Sequence, residues 1–208
     1  MIELITKYNI DYYRAEIEQM FRLRYQIFVE DKGWNLPMAK NGLEIDQFDH
    51  EDAAYLIAFD DNREILGSIR FTPTDKPNML SDVFSYLVEG EVPTGPMIWE
   101  TSRGFSTVKH KHETLSPVLS TLMVGMVEAG LLLGANKMNF IVGTKLYPTF
   151  LNAGWGVTPL GFPHIDENGD EILAASLKID SLALHNVRRV RNIKLPLLRY
   201  NNFEKDVA

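Results

Sequence analysis

The sequence predicts an α/β fold in which a single mixed sheet is flanked by helices, and three observations carry that expectation. Short apolar runs alternate with single helical stretches, the order that lays helices over a sheet. The 208 residues are 45% hydrophobic and 24% charged, which is enough to bury a sizeable core and excludes wholesale disorder. No internal repeat, low-complexity tract or long polar linker interrupts the chain, and a domain usually takes roughly 100–200 residues. Residues 1–208 are therefore read as one domain.

Each element follows from its pattern. Residues 10–31 read as a helix because Ile17, Met20, Phe21, Leu23, Ile27 and Phe28 recur near a 3.6-residue period, and Gly33 suits its end. Residues 33–51 are polar and irregular. Residues 53–59 and 65–71 are apolar runs joined by Asp60-Asp61-Asn62-Arg63, a hairpin pattern. Residues 81–88 read as a short helix, 93–96 as a turn, and 97–107 as a strand leading into the polar loop 109–114. Residues 116–135 come next, with Glu128 as their only charge. Their length nearly spans a bilayer, but Ser116, Ser120, Thr121, Glu128 and three glycines mark a buried core helix instead. Residues 137–143 then form a central strand and 146–153 a short helix closed by Gly154. Residues 156–165 and 171–179 are strands around the turn Asp166-Glu167-Asn168-Gly169, and 182–193 close the chain as a basic helix.

Composition removes several function classes. With no cysteine there is no disulfide framework, thiolate metal site or cysteine nucleophile. The five histidines are scattered, His110 and His112 flanking a lysine, so no metal site is expected. A net charge of −7 argues against nucleic-acid binding, because phosphate needs a basic face. The opening MIELITKYNI lacks the basic start and apolar block of a secretory signal, so a cytoplasmic protein with no membrane attachment is expected. Residues 1–104 carry 10 basic and 19 acidic side chains, residues 105–208 carry 11 and 9, a hint of two differently charged ligands.

Three groups of residues look out of place. Arg24 shares a helical face with Ile17, Phe21 and Phe28, and a guanidinium facing inward must find carboxylates or an anionic ligand. Glu44, Asp46, Asp49, Glu51 and Asp52 crowd residues 44–52, near Phe28, Trp34 and Phe48. Acids beside aromatic faces make a receptor for an organic cation. Such dense charge also predicts that residues 33–51 are mobile until a cation arrives. Finally, Glu100 and Arg103 sit in Trp99-Glu100-Thr101-Ser102-Arg103, on a strand that should be central. In a regular strand positions 100 and 103 face opposite sides, so a bulge near residues 101–104 is predicted, turning both into one cleft that collects Arg24, Arg70 and Arg103 with Asp46, Asp49 and Glu100.

These residues, in this order, resemble the acyl-homoserine-lactone synthases, the LuxI-type autoinducer synthases of bacterial quorum sensing. The match runs through Arg24-Tyr25-Gln26-Ile27-Phe28-Val29-Glu30 with Gly33-Trp34, Glu44-Ile45-Asp46-Gln47-Phe48-Asp49, Arg70, Phe84 and Trp99-Glu100-Thr101-Ser102-Arg103. It covers the chain to about residue 190. The resemblance implies a GNAT-like acyltransferase fold with a V-split mixed sheet. The implied reaction moves a fatty acyl group from acyl carrier protein to the amine of S-adenosylmethionine, a substrate and not a cofactor. Lactonisation then expels methylthioadenosine. Arg24, Phe28, Trp34, Asp46, Asp49 and Arg70 are the implied S-adenosylmethionine residues. Glu100 is taken as general base, Arg103 belongs to the same functional set, and backbone amides near Ser102 are candidate oxyanion donors. The family usually places an aromatic or apolar residue after this arginine, whereas here Gly104 precedes Phe105.

For the acyl chain, Phe84, Phe105, Leu122, Met126 and Phe140 are candidates, and Thr144 matches a position where many 3-oxo-preferring members carry threonine. The segment Ser106-Thr107-Val108-Lys109-His110-Lys111-His112 has no glycine, where a coenzyme A cradle would be glycine-rich. Its absence favours a protein-carried acyl group, and Arg188 and Arg191, on one helical face, would dock that acidic partner. Two rival readings are an acyl-coenzyme A N-acyltransferase of the same fold acting on a different amine, and a non-catalytic sensor of an organic cation.

Overall fold

The computed structural model describes residues 1–107 and 116–201. The chain begins with strand β1 (Ile2–Ile5) and a 3₁₀ turn (Ile10–Tyr13) leading into α1 (Arg14–Arg24). That helix widens into a π-helical segment (Tyr25–Asp31), ending at Gly33 with φ +70°. β2 (Ala54–Phe59) and β3 (Ile65–Pro73) form the expected hairpin. α2 (Met79–Asp82) and a 3₁₀ turn (Ser85–Leu87) replace the single helix expected over residues 81–88, because Asn78 caps the Ser81 N–H and starts the helix early. β4 (Ile98–Ser106), α3 (Pro117–Leu132), β5 (Lys137–Gly143) and α4 (Tyr147–Leu151) follow. β6 (Val157–Pro159) and β7 (His164–Ile165) split the one strand expected over residues 156–165. β8 (Glu171–Lys178), α5 (Ser181–Arg191) and β9 (Leu198–Arg199) follow as the last elements among the described residues.

The strands make one mixed sheet in the order β6-β8-β5-β4-β3-β2-β1-β9, with β7 on β8. Only β4–β5 and β1–β9 are parallel among the described pairs. β2 shows why helices cover both faces. Its period-2 alternation sends Ala54, Leu56 and Ala58 into the core under α3, and Tyr55, Ile57 and Phe59 into the core under α1. Every one of these six residues is buried, so neither face can meet water.

α3 starts at Ser116, whose hydroxyl accepts from the Leu119 N–H at 2.7 Å, with Pro117 at its first turn. Gly125 lets it lie against the sheet, since a Cβ there would come within 2.6 Å of Ile2 Cδ1. Among the described residues no helix is long and apolar enough to cross a membrane. β4 and β5 run side by side only from Ile98–Lys137 to Thr101–Phe140. β4 continues to Ser106 and β5 to Gly143 without further pairing, so the two strands part like a V.

Candidate active site

The site is built where β4 breaks its regular pattern. Ser102 pairs with Arg70 and Phe105 with Ser68, so Arg103 and Gly104 together oppose Ile69. This is the predicted bulge. Arg103 itself takes the left-handed conformation, φ +51°, a strained state for a residue with a side chain. The extra residue brings Glu100, Ser102, Arg103 and Phe105 to the face that Arg70 already occupies, with Phe105 packed on Phe28 in an edge-to-face pair.

On that face three arginines meet three carboxylates. Arg24 sits on the last turn of α1 and is 1% exposed. Its Nη1 and Nη2 donate to Asp49 Oδ1 and Oδ2 at 2.8 and 2.9 Å, and its Nε donates to Glu44. Arg70 donates from Nη1 to Asp46 Oδ1 at 2.6 Å, from Nε to Ser102 Oγ at 3.0 Å, and lies 3.0 Å from Asp49. Arg103 donates from Nε to Glu44 Oε1 at 3.1 Å and from Nη2 to Asp46 Oδ2 at 2.8 Å. The loop is folded around these pairs. Asp46 accepts from the Phe48 N–H, Asp49 from the Asp46 N–H and the Tyr55 hydroxyl.

The electrostatics follow from burial in company. Burial alone would raise the Asp49 carboxyl, but the Arg24 and Arg70 charges outweigh it and hold Asp49 well below the usual carboxylate range. Burial works against the Arg24 charge, yet Asp49 and Glu44 push its pKa up. Arg103 is pulled down, burial outweighing Glu44 and Asp46. The expectation that residues 33–51 are mobile rested on mutual repulsion of five acids, and three of them, Glu44, Asp46 and Asp49, are paired with arginines of the same chain while Asp52 pairs with Lys7. Glu44, buried between Arg24 and Arg103, is the member that the reading by residue type passed over among five neighbouring acids.

Glu100 stands beside this network, 1% exposed. Its Oε1 accepts from the Met79 N–H at 3.1 Å and its Oε2 from the Leu80 N–H at 2.6 Å, at the start of α2. Burial raises its pKa, and the two amides only partly offset that. Ser102 holds the Arg70 guanidinium and so acts on the network through its side chain. Phe28 and Trp34 stack face to face, centroids 5.0 Å apart and 8° from parallel. The Lys32 ammonium lies 4.7 Å from the Trp34 ring and 5.2 Å from Phe28. Sequence reading missed this resident cation, whose position two residues before Trp34 was the available signal.

The remaining expected residues are more dispersed. Leu122, Met126 and Phe140 pack in the α3 core, Phe105 in the α1 core, and Phe84 on the Leu80–Leu87–Ile172 cluster. The five apolar acyl candidates thus fall in separate packed groups, divided by the sheet. Thr144 neither caps α4 nor points free, since its hydroxyl donates to Glu171 at 2.6 Å. The expected docking pair is half-buried. Arg188 turns inward to Glu128 at 2.6 Å, and Arg191 Nε is buried. Both border the face of α5 that buries Ala183 and Val187, which leaves them partly turned from solvent. The glycine-poor segment lies outside the described residues from Val108 onward.

Comparison with known proteins agrees with this geometry. The family model for autoinducer synthases matches residues 9–187. An isovaleryl-homoserine lactone synthase of Bradyrhizobium diazoefficiens is 39% identical over 170 residues, covering 81% of this chain and 75% of that protein. The structure of BjaI, described as a CoA-dependent acyl-homoserine lactone synthase with SAM and isopentyl-CoA, superposes with a TM-score of 0.87. It is 34% identical, and the match covers 99% of this chain and 95% of that one. An acyl-CoA N-acyltransferase of Pseudomonas aeruginosa, 14% identical with a TM-score of 0.54 over 85% of this chain and 98% of that one, shares the fold alone. With its split sheet, bulged strand and arginine–carboxylate network, the chain belongs to the autoinducer synthase family and is an acyl-homoserine-lactone synthase.

Proposed function

We propose that this enzyme acylates the amine of S-adenosylmethionine from an acyl-coenzyme A and then closes the lactone, releasing methylthioadenosine. The observation that carries the reading is the gathering of Arg24, Arg70 and Arg103 with Glu44, Asp46 and Asp49 next to Glu100, beside the stacked Phe28–Trp34 pair. S-adenosylmethionine is a zwitterion with an added sulfonium. Arg103, strained and least buried of the three arginines, suits its carboxylate, Asp46 its ammonium, and the Phe28–Trp34 faces its sulfonium or adenine.

An ammonium cannot attack a thioester, so a base must take a proton. Glu100, raised by burial, fits that role, typically worth about 10²–10⁴-fold in rate. Where β4 leaves β5 after Thr101, strand edges face the gap, and amides near Ser102 and Arg103 suit the oxyanion of the tetrahedral intermediate. The acyl chain then runs from the split toward Leu122, Met126 and Phe140. In the second step the substrate carboxylate attacks the carbon next to the sulfonium. Orientation does most of that work, since intramolecular attack reaches effective molarities of about 10⁵–10⁸ M.

Two observations favour coenzyme A over a carrier protein as donor. Arg188, half of the expected docking patch, is committed to Glu128, and BjaI, similar over nearly the whole chain, is described as CoA-dependent. The test is purified protein with S-adenosylmethionine and two parallel panels, acyl-coenzyme A thioesters and acylated carrier proteins, scored by mass spectrometry. Lactone and methylthioadenosine from the first panel support the reading. Lactone only from the second reassigns the donor, and lactone from neither overturns the function.

A further inference from the structure

The proposed reaction leaves a proton to dispose of. The ammonium gives up two protons on becoming an amide, the departing thiolate takes one, and lactone closure releases none. One proton must therefore leave Glu100 in every turnover, yet that carboxyl is 1% exposed.

The sheet carries a second set of polar groups in line with it. Thr72 of β3 lies opposite Glu100, and Asn139 of β5 pairs with Glu100 from the other side. Ser176 of β8 pairs with Asn139, and Thr158 of β6 pairs with Ser176. Residues directly opposite across neighbouring strands share a face, so these five make one row across the sheet. The row begins in the interior and ends at Thr158, which is exposed on the edge strand. Thr72 and Asn139 are fully buried and Ser176 is nearly so. Thr72 Oγ1, Asn139 Oδ1 and Ser176 Oγ are buried with no hydrogen-bond partner, each a cost to the fold if nothing satisfies it. Next to them the same face is apolar, with Ile141, Ile172 and Ala174 packed on Leu80 and Leu87. Alternation calls for apolar residues at these positions too.

We propose that this row holds a file of water molecules that carries the proton from Glu100 past Asn139 and Ser176 to solvent at Thr158. The inference rests on Glu100 being the base of the reaction proposed above. Strands lie about 4.8 Å apart, so three steps span about 14 Å, the length of about five hydrogen-bonded waters. The Asn139 Nδ2 is held by the Pro93 carbonyl at 2.8 Å, which leaves Oδ1 to accept from a water and fix its orientation. The Ser176 hydroxyl both accepts and donates. In the relay the Glu100 O–H bond breaks as one forms on the first water. Each water passes a proton onward, the last delivers one to bulk, and the carboxylate is restored. Thr72, on the side of Glu100 away from the exit, orients the first water.

The decisive variants are Ser176→Ala and Asn139→Leu, neither of which belongs to the arginine–carboxylate network. The expected result is an unchanged KM for S-adenosylmethionine, kcat lowered about tenfold as part of the base's 10²–10⁴, and a larger solvent deuterium isotope effect. Ser176→Thr, which keeps the hydroxyl, retains wild-type kcat. A merely structural row predicts the reverse: Ser176→Ala removes an orphan hydroxyl, raises the melting temperature and leaves kcat and the isotope effect untouched. That result overturns the relay. If Asn139→Leu does not fold, Ser176→Ala alone decides. A wild-type protein that makes no lactone overturns the underlying function, whereas active wild type with fully active variants overturns the relay alone.

Discussion

Replacing Asp49 with asparagine is the sharpest perturbation of the charge network. Asp49 accepts both Nη groups of Arg24, the Tyr55 hydroxyl and the Asp46 N–H, and lies 3.0 Å from Arg70. Asparagine keeps one acceptor oxygen and turns an NH₂ donor toward two guanidiniums, leaving three buried arginines against two carboxylates. Removing one partner from a buried ion pair typically costs about 3–5 kcal/mol. At about 2–4 °C per kcal/mol for a chain of this size, the melting temperature falls by roughly 6–20 °C. The pH dependence has a definite sign. The folded carboxyl titrates below its ordinary 3.8, so its contribution is present above that value and is lost as pH falls through the depressed one. The gap between wild type and Asp49→Asn therefore narrows progressively below about pH 5. Denaturant unfolding at pH 7, 4 and 3 measures it, with Asp52→Asn as control. Asp52 pairs with Lys7 at the surface, where such pairs contribute about 0–1 kcal/mol. Equal costs for the two variants would refute the reasoning.

Three further outcomes follow. Glu100→Gln lowers kcat by about 10²–10⁴-fold; in wild type, activity falls with decreasing pH through a value above the ordinary 4.5, and an acid limb at or below 4.5 in a pH–rate profile contradicts the base assignment. Lys32→Met removes the cation that shares the Phe28 and Trp34 faces. At about 0.5–1 kcal/mol for an exposed cation–π contact, the KM for S-adenosylmethionine drops about two- to fivefold with kcat unchanged, and an equal or higher KM argues against competition at that site. Arg188→Ala lowers stability by about 1–3 kcal/mol through its bond to Glu128 while the KM for the acyl donor stays constant; a raised donor KM at full stability restores the docking role.

Much of the site was legible because its physics is local. Arg24 betrayed itself by sharing a stripe with Phe21 and Phe28, and Glu100 with Arg103 by their place on a central strand. The conflict between their opposite facings is what announces the bulge. The partners of those charges were legible in part. Asp46 and Asp49 were expected beside Arg24, Arg70 and Arg103 and are found there, whereas the third carboxylate is Glu44 and not Glu100, which accepts from the Met79 and Leu80 amides instead. Only β3, β4 and α1 meeting in space show which acid of the loop each arginine reaches. β1 escaped notice for a similar reason. Its four residues include Glu3, whose burial becomes tolerable only when Arg63 arrives from the β2–β3 hairpin. β9 is two residues long and is held by Glu128, whose carboxylate accepts the Leu197 and Leu198 N–H groups at 3.0 and 2.7 Å. Glu128 was visible as the one charge in an apolar helix, but its partners lie 60 to 70 residues away. The same distance hid the inward turn of Arg188.

The most direct test of the account is a crystal structure of the protein with S-adenosylmethionine bound. The account predicts the substrate carboxylate on Arg103, its ammonium near Asp46 and within one water of Glu100, and the Phe28–Trp34 pair covering the sulfonium or adenine with Lys32 displaced. Density for the substrate away from this face, with Lys32 still over the rings, would contradict it.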